Sequence, residues 1–351
     1  MTPTIRFTGL TRAMRTFVAL TLALFLAAAT APASAAEVKV RFTLDWVAQA
    51  PHGLFFISLY EGFYKAEGID VTFDPGKGSA DAVRRIVSGA YDMGFPDINA
   101  LIQYNSKNPD KMIQEVMMGY EQPPLSIFTM KKSNITHPKQ LVGKSLGAPV
   151  FDASYKLFPA FAKAIGIDAN AVIKKNMDPR LREPMLIRGE VDSISGHIFS
   201  SMLGLKAGGV KEEEIRYFMY GDYGMASYAN GIAVSPKFMK EHPDTVKAFL
   251  RATIKGAREM ILHPEKAVAA AKRFEPLLNE ALERDRMRLA LNCCILTPNV
   301  KKHGYGGVDM KRLENSIKQA ALAFGLKRQP KASDMFNASF LPAASERMVH
   351  K

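Results

Sequence analysis

Cysteine is scarce: the 351-residue chain has two, Cys293 and Cys294, side by side. Consecutive α-carbons sit about 3.8 Å apart, below the usual bridging range, so the pair promises no ordinary disulfide framework. A chain of this size needs none. The expected setting is two small apolar residues inside a helix, with a thiol or metal role as the alternative. Also missing are a G-x-S-x-G elbow, an H-E-x-x-H pair, a P-loop and a recognisable carboxylate pair, so no catalytic set emerges. Acidic residues are outnumbered, 34 against 47 Lys and Arg, for a formal charge of +13. The basic residues are spread along the chain, with no tail and no aromatic interleaving, which argues against nucleic acid as a partner. Solubility, or a mild attraction for anions, explains the excess better.

The N-terminal apolar stretch, Phe17 to Ala29, falls short of the ~20 residues a membrane span needs. It follows Arg6, Arg12 and Arg15 and precedes small residues at 31–36, the pattern of a cleaved export signal over residues 1–36. No cysteine lies near the cut to carry a lipid. The expected product is a periplasmic protein of about 315 residues with a formal charge of about +10, long enough for two domains.

Beyond that point, strand and helix patterns alternate. Val38, Val40, Phe42 and Leu44 alternate with polar residues, and Ile69, Val71 and Phe73 do so again. Helices are expected over 51–60 and 80–88, with Ser79 placed to cap the second. Further strands are expected at 91–95, 125–130, 146–148, 173–177, 191–194, 215–219 and 232–234. After Ser235 the chain turns helical: Val246, Phe249, Leu250, Ile254, Ala257 and Ile261 recur at helical spacing. The rhythm predicts an α/β fold.

Several segments together are specific. Leu44-Asp45-Trp46, Pro51-His52-Gly53 and the run from Glu61 to Val71 resemble the opening of solute-binding proteins for nitrate, taurine, sulfonates and the pyrimidine precursor of thiamine. Leu-Asp-Trp is similar to the thiamine-precursor branch. The resemblance continues at 88–94, 138–144 and 249–256. It implies a type II periplasmic-binding-protein fold, with two α/β lobes joined by two crossover strands and a ligand cleft between them. Lobe one would hold 37–129 and 226–351, and lobe two 130–225. The implied partners are a small-molecule ligand and an inner-membrane ABC permease, with no cofactor and a monomeric receptor.

Binding sites in open α/β sheets lie at the carboxyl ends of strands, which selects the candidates. Trp46 could stack on a flat ring or be a core residue, and His52 could bond a ligand. Asp45 could bond a ligand or only a loop amide. Gly76 to Ser79 presents amides at a helix start, where anions are favoured, although capping is the simpler role. Asp97 lies in a loop that the resemblance places against ligand. Phe151, Asp152 and Ser154 face it from lobe two, where Asp152 could equally be a helix cap. His197 follows a lobe-two strand, and Tyr223 and Tyr228 flank the second crossover. The expected activity is capture of a small flat or anionic molecule by hinge closure. The alternative is an enzyme like the pyrimidine-precursor synthase, which in the related family uses a cysteine-rich motif, iron and a sacrificed histidine. No such cysteine cluster occurs in this sequence.

Overall fold

The structure, a computed structural model, describes residues 3, 37–225 and 227–349. Apart from Pro3, the expected export signal lies outside them, as does Ala226, the expected start of the return to lobe one. From Val38 onward the chain forms one unit built on two five-stranded sheets. Among the described residues no helix is long and apolar enough to cross a membrane.

The first sheet contains β1 (Val38–Thr43), β2 (Ile69–Asp74), β3 (Met93–Gly94), β4 (Gln114–Met118) and a late strand from Gly231 to Val234. The second contains β5 (Leu125–Met130), β6 (Ser145–Ala148), β7 (Ile173–Asn176), β8 (Ser193–His197) and β9 (Ile215–Met219), so the late strand is β10. The strand orders are β2-β1-β3-β10-β4 and β7-β6-β8-β5-β9. β1 and β2 pair in parallel, with Phe42 opposite Phe73. Their inward residues pack against helix α1 (Gly53–Tyr60), and Phe42, Phe55, Phe73 and Phe95 meet at ring distances of 4.8–5.6 Å. Burying each such ring is worth about 2–3 kcal/mol, so this cluster anchors the loops that leave β1 and β3.

The sequence gives no sign of β4, whose run Gln-Glu-Val-Met-Met opens on two polar residues and does not alternate. It is nonetheless buried, with Glu115 fully enclosed. The expected division between lobes at 129/130 is also displaced. β5 bonds from Ser126 onward to β9, and from Leu125 to β8, so all of it belongs to the second sheet. The first crossover therefore precedes Leu125.

The two crossovers touch. Gly119 and Tyr120 donate their amides to the Asn230 carbonyl, and Ala229 donates back to Tyr120. The C-terminal helices brace them. In α2 (Ser79–Val87), α3 (Ile98–Lys107), α4 (Ala153–Ala164), α5 (Arg182–Ile187) and α6 (Ile198–Ala207), each helix follows a strand of its own lobe. α7 (Pro243–Leu262) and α8 (Pro264–Phe274) cover α1, whereas α9 (Glu280–Ala290) and α10 (Met310–Phe324) also touch lobe two. Arg312 of α10 pairs with the Glu121 carboxylate and donates to the Glu121 and Ser227 carbonyls at 2.8 and 3.2 Å, one on each crossover.

Cys293 and Cys294 correct the expectation of an unbridged pair. They form a disulfide between neighbours within the π-helical turn Leu291–Ile295 that ends α9. The spacing argument had treated ordinary bridges only. The Cys294 carbonyl accepts the amides of Glu121 and Gln122, which fastens this turn to the first crossover.

Candidate functional site

Three loops of lobe one and three of lobe two meet at the carboxyl ends of their strands. β1 ends at Thr43, and the bend that follows turns Asp45 and Trp46 toward lobe two. The Asp45 carbonyl accepts the Gly78 amide at 2.6 Å and the Trp46 carbonyl accepts that of Gly76 at 3.0 Å, which pins this bend to the one after β2. Opposite stand the start of α4, the start of α5 and the end of β8. The space between them is lined by Asp45, Trp46, Ser79, Asp152, Arg182, His197 and Ser200 and measures about 10 Å³.

Trp46 is 8% exposed, and its wall is covered by Arg182, whose guanidinium carbon lies 4.7 Å from the indole centroid. Arg182 itself is 2% exposed. Its Nε and Nη2 both reach Glu183 Oε1 at 2.8 Å, and Nη1 lies 3.5 Å from Asp152 Oδ2. Asp152 is the N-cap of α4, with Oδ1 accepting the Tyr155 amide at 2.9 Å. Burial raises the Asp152 pKa to about 6, outweighing the opposing pull of Arg182.

His52 stands behind Asp45. Its Nδ1 accepts the Gln49 amide at 3.3 Å, so the ring proton is on Nε2, which faces Asp45 Oδ1 at 3.0 Å. The imidazole thus donates to the carboxyl group. His197 keeps a little solvent contact, but the protein around it disfavours the imidazolium and holds its pKa down to about 4. Tyr120, missed in the sequence, packs edge-on to Phe95, Phe199 and His197.

The lobes are also joined around the rim. Gln49 Oε1 accepts the Ser200 hydroxyl at 2.6 Å, and the Ala80 amide donates to the Phe151 carbonyl at 3.2 Å. A side chain on Gly78, at φ 132°, would meet that carbonyl at 2.2 Å. Glu283 accepts the Ala50 amide and pairs with Arg286, which donates to the Phe199 and Ser200 carbonyls, so α9 spans both lobes.

Of the expected residues, Asp45, Trp46, Ser79, Asp152 and His197 line the space. His52 supports it from behind, and Phe151 sits at the rim with Arg84 over its ring. Asp97 caps α3 through the Asn99 amide, and burial raises its pKa to about 7, with the charges of Asp45 and Asp152 adding to the effect. Ser154 is fully buried in the first turn of α4, where its carbonyl accepts the Tyr220 hydroxyl. Two aromatics are displaced. Tyr223 packs edge-on to Phe161 and beside His137, on the outer side of lobe two. Tyr228 lies under α10, where Arg312 covers its ring at 4.1 Å and its hydroxyl accepts the Asp309 amide at 2.7 Å. In both cases a neighbouring helix draws the ring away from the cleft. Arg182 was not foreseen, although it follows β7 as Asp152 follows β6 and His197 ends β8. Among the described residues no cluster of His, Cys, Asp or Glu could hold a metal ion.

Comparison with known proteins agrees with this architecture. Residues 49–267 match the family model described as NMT1/THI5 like. The formylaminopyrimidine-binding protein of Halalkalibacterium halodurans is 24% identical over 320 residues, 90% of this chain and 95% of that one. The 4-amino-5-hydroxymethyl-2-methylpyrimidine phosphate synthase of Legionella pneumophila is 22% identical over 71% of this chain and 78% of its own length. The alkanesulfonate-binding protein SsuA of Xanthomonas axonopodis pv. citri superposes with a TM-score of 0.64 at 12% identity, covering 85% of this chain and 96% of that one. With two α/β lobes, two crossovers and a cleft at the strand ends, the fold is that of the periplasmic binding proteins, and the chain belongs to the NMT1/THI5-like family.

Proposed function

We propose that this protein is the periplasmic substrate-binding component of an ABC importer, and that it closes on a small flat nitrogen heterocycle carrying N–H donors, of the aminopyrimidine class. The observation that carries this reading is the charge around Trp46. Asp45 and Asp152 both line the space beside the indole, whereas the one cation lining it, Arg182, is already matched by Asp152 and Glu183. An anion such as a sulfonate, nitrate or aromatic carboxylate would add negative charge to a low-dielectric site that already has it in excess. A ring with amine or amidine edges brings N–H donors to this carboxylate-bearing wall. Indole supplies the flat face.

The relative that binds a formylaminopyrimidine supports this ligand class. The synthase relative keeps a second reading open, in which the same cleft performs chemistry on a pyrimidine. Thermal shift and calorimetry of the purified chain against aminopyrimidines, alkanesulfonates, nitrate and benzoate test the first. A ligand at a hundredfold excess over its Kd stabilises the native state by about 2.7 kcal/mol. Stabilisation by sulfonate or nitrate but not by any aminopyrimidine would overturn the class. Turnover of a pyrimidine product by iron-supplemented protein would establish the second reading instead.

A further inference from the structure

The wall that a flat ligand would use is occupied by the protein itself. Arg182 lies over the Trp46 ring at 4.7 Å and turns Nη1 toward Asp152 at 3.5 Å. A guanidinium is planar, cationic and lined with N–H donors, the same chemistry as an amidine or a protonated aminopyrimidine. The remaining space, about 10 Å³, is no more than one water fills, so with the lobes in this arrangement no ring shares the cleft with this side chain.

We propose that Arg182 is a built-in stand-in for the ligand: it covers Trp46 and neutralises Asp152 until a planar donor of like chemistry displaces it. This rests on the binding reading above and adds how the site selects. Exchange of one flat donor for another keeps the buried Asp152 matched. A neutral apolar ring or an anion that pushed Arg182 aside would leave that carboxylate without a partner, which is heavily disfavoured in a buried site.

Two features mark the side chain as displaceable. Its contact with Asp152 is longer than the 2.7–2.9 Å of a strong charge-assisted bond. Its tighter partner is the adjacent Glu183, which is 12% exposed and sits on the same short helix, so the pair can move off together. Gly196 adds to the fit. A Cβ there would meet Ser201 Oγ and, at 2.8 Å, Arg182 Nη1, so the absent side chain leaves room that the serine and the guanidinium share.

Trp46 is the only tryptophan in the chain, and its emission reports directly on what covers it. The test uses the purified chain, wild type, Arg182→Ala and Arg182→Lys, each checked for folding by circular dichroism. The probes are 4-amino-5-hydroxymethyl-2-methylpyrimidine and methylguanidinium. If Arg182 covers the site nine-tenths of the time, its removal raises pyrimidine affinity about tenfold, because apparent affinity scales with the competent fraction. Methylguanidinium should shift Trp46 emission in Arg182→Ala and compete there with the pyrimidine at concentrations that leave wild type unchanged, since in wild type it must first displace Arg182. The lysine variant keeps the charge but not the flat face, and should also bind the pyrimidine more tightly than wild type, so it carries the test if the alanine variant does not fold. Weaker or unchanged pyrimidine binding in the folded variants overturns the proposal, since Arg182 is then a ligand contact or a bystander. If no variant binds the pyrimidine but methylguanidinium still reaches Trp46 in Arg182→Ala, the ligand class fails and the stand-in survives. If methylguanidinium reaches Trp46 in no variant, the stand-in falls.

Discussion

His52 donates through Nε2 to Asp45 at 3.0 Å, and it does so because the Gln49 amide keeps Nδ1 as an acceptor. One backbone N–H thus fixes the tautomer that gives Asp45 its donor. Both side chains are nearly inaccessible, so the bond is not screened by solvent. His52→Ala should cost about 2–3 kcal/mol in urea denaturation, the range for a buried bond to a charged group. His52→Gln, which can restore a donor, should recover part of that loss. Equal losses in the two variants would show that the imidazole acts by packing alone.

Asp152 gives the site a pH dependence. Its carboxyl is held at about 6, above the ordinary aspartate value of 3.8, because burial favours the acid form. The stability this contributes is complete below pH 3.8 and lost as pH rises through about 6. A donor-bearing cation needs the ionised form, so affinity for it should rise from pH 5 and flatten above about 6.5, with a proton released on binding. His197, at about 4, stays neutral across this window, while Asp97, at about 7, titrates at its upper edge. Calorimetry in buffers of different ionisation enthalpy reads the released proton. An Asp152→Asn profile as steep as that of wild type would sink the assignment.

Gly78 is where closure tolerates no side chain. At φ 132° it faces the Phe151 carbonyl across the rim, and an added Cβ would have 2.2 Å. Gly78→Ala should leave both lobes folded yet wedge them apart, lowering ligand affinity at least tenfold, about 1.4 kcal/mol. Small-angle scattering should then show no compaction on adding ligand. Compaction equal to wild type would mean the rim rearranges around the methyl group.

The bridge between Cys293 and Cys294 is directly measurable. Intact mass of protein made in an oxidising compartment should fall about 2 Da below the reduced chain, and denatured protein should show no free thiol before a reductant is added. Two titratable thiols in freshly denatured, untreated protein would refute the bridge.

Much of this organisation was legible because one physical signal dominated locally. The alternation of Val38 to Leu44 and of Ile69 to Phe73 defined the first two strands, and the rule that sites lie at strand ends led to Trp46, Asp152 and His197. The same rule did not reach Arg182. β7 is expected at 173–177, but Arg182 lies six residues beyond its end, past a short turn at Pro179–Leu181, and not at the strand terminus itself. β4 was hidden because its second residue, Glu115, is a buried carboxyl, whose pKa burial raises well above its usual value. Tyr228 could not be placed from sequence, since its orientation depends on Arg312, far along the chain. The cysteine pair was misjudged because α-carbon spacing describes ordinary bridges and not those between neighbours.

Arg312 sets a mechanical condition on the whole receptor. Its guanidinium bonds a carbonyl on each crossover, so the lobes cannot rotate about those strands without either stretching these bonds or carrying α10 along. α10 also rests on α3 of lobe one and α4 of lobe two. In the proposed closure the C-terminal third of the chain would serve as the bearing of the hinge, with the stiffness of opening set some 190 residues away from the crossover it governs.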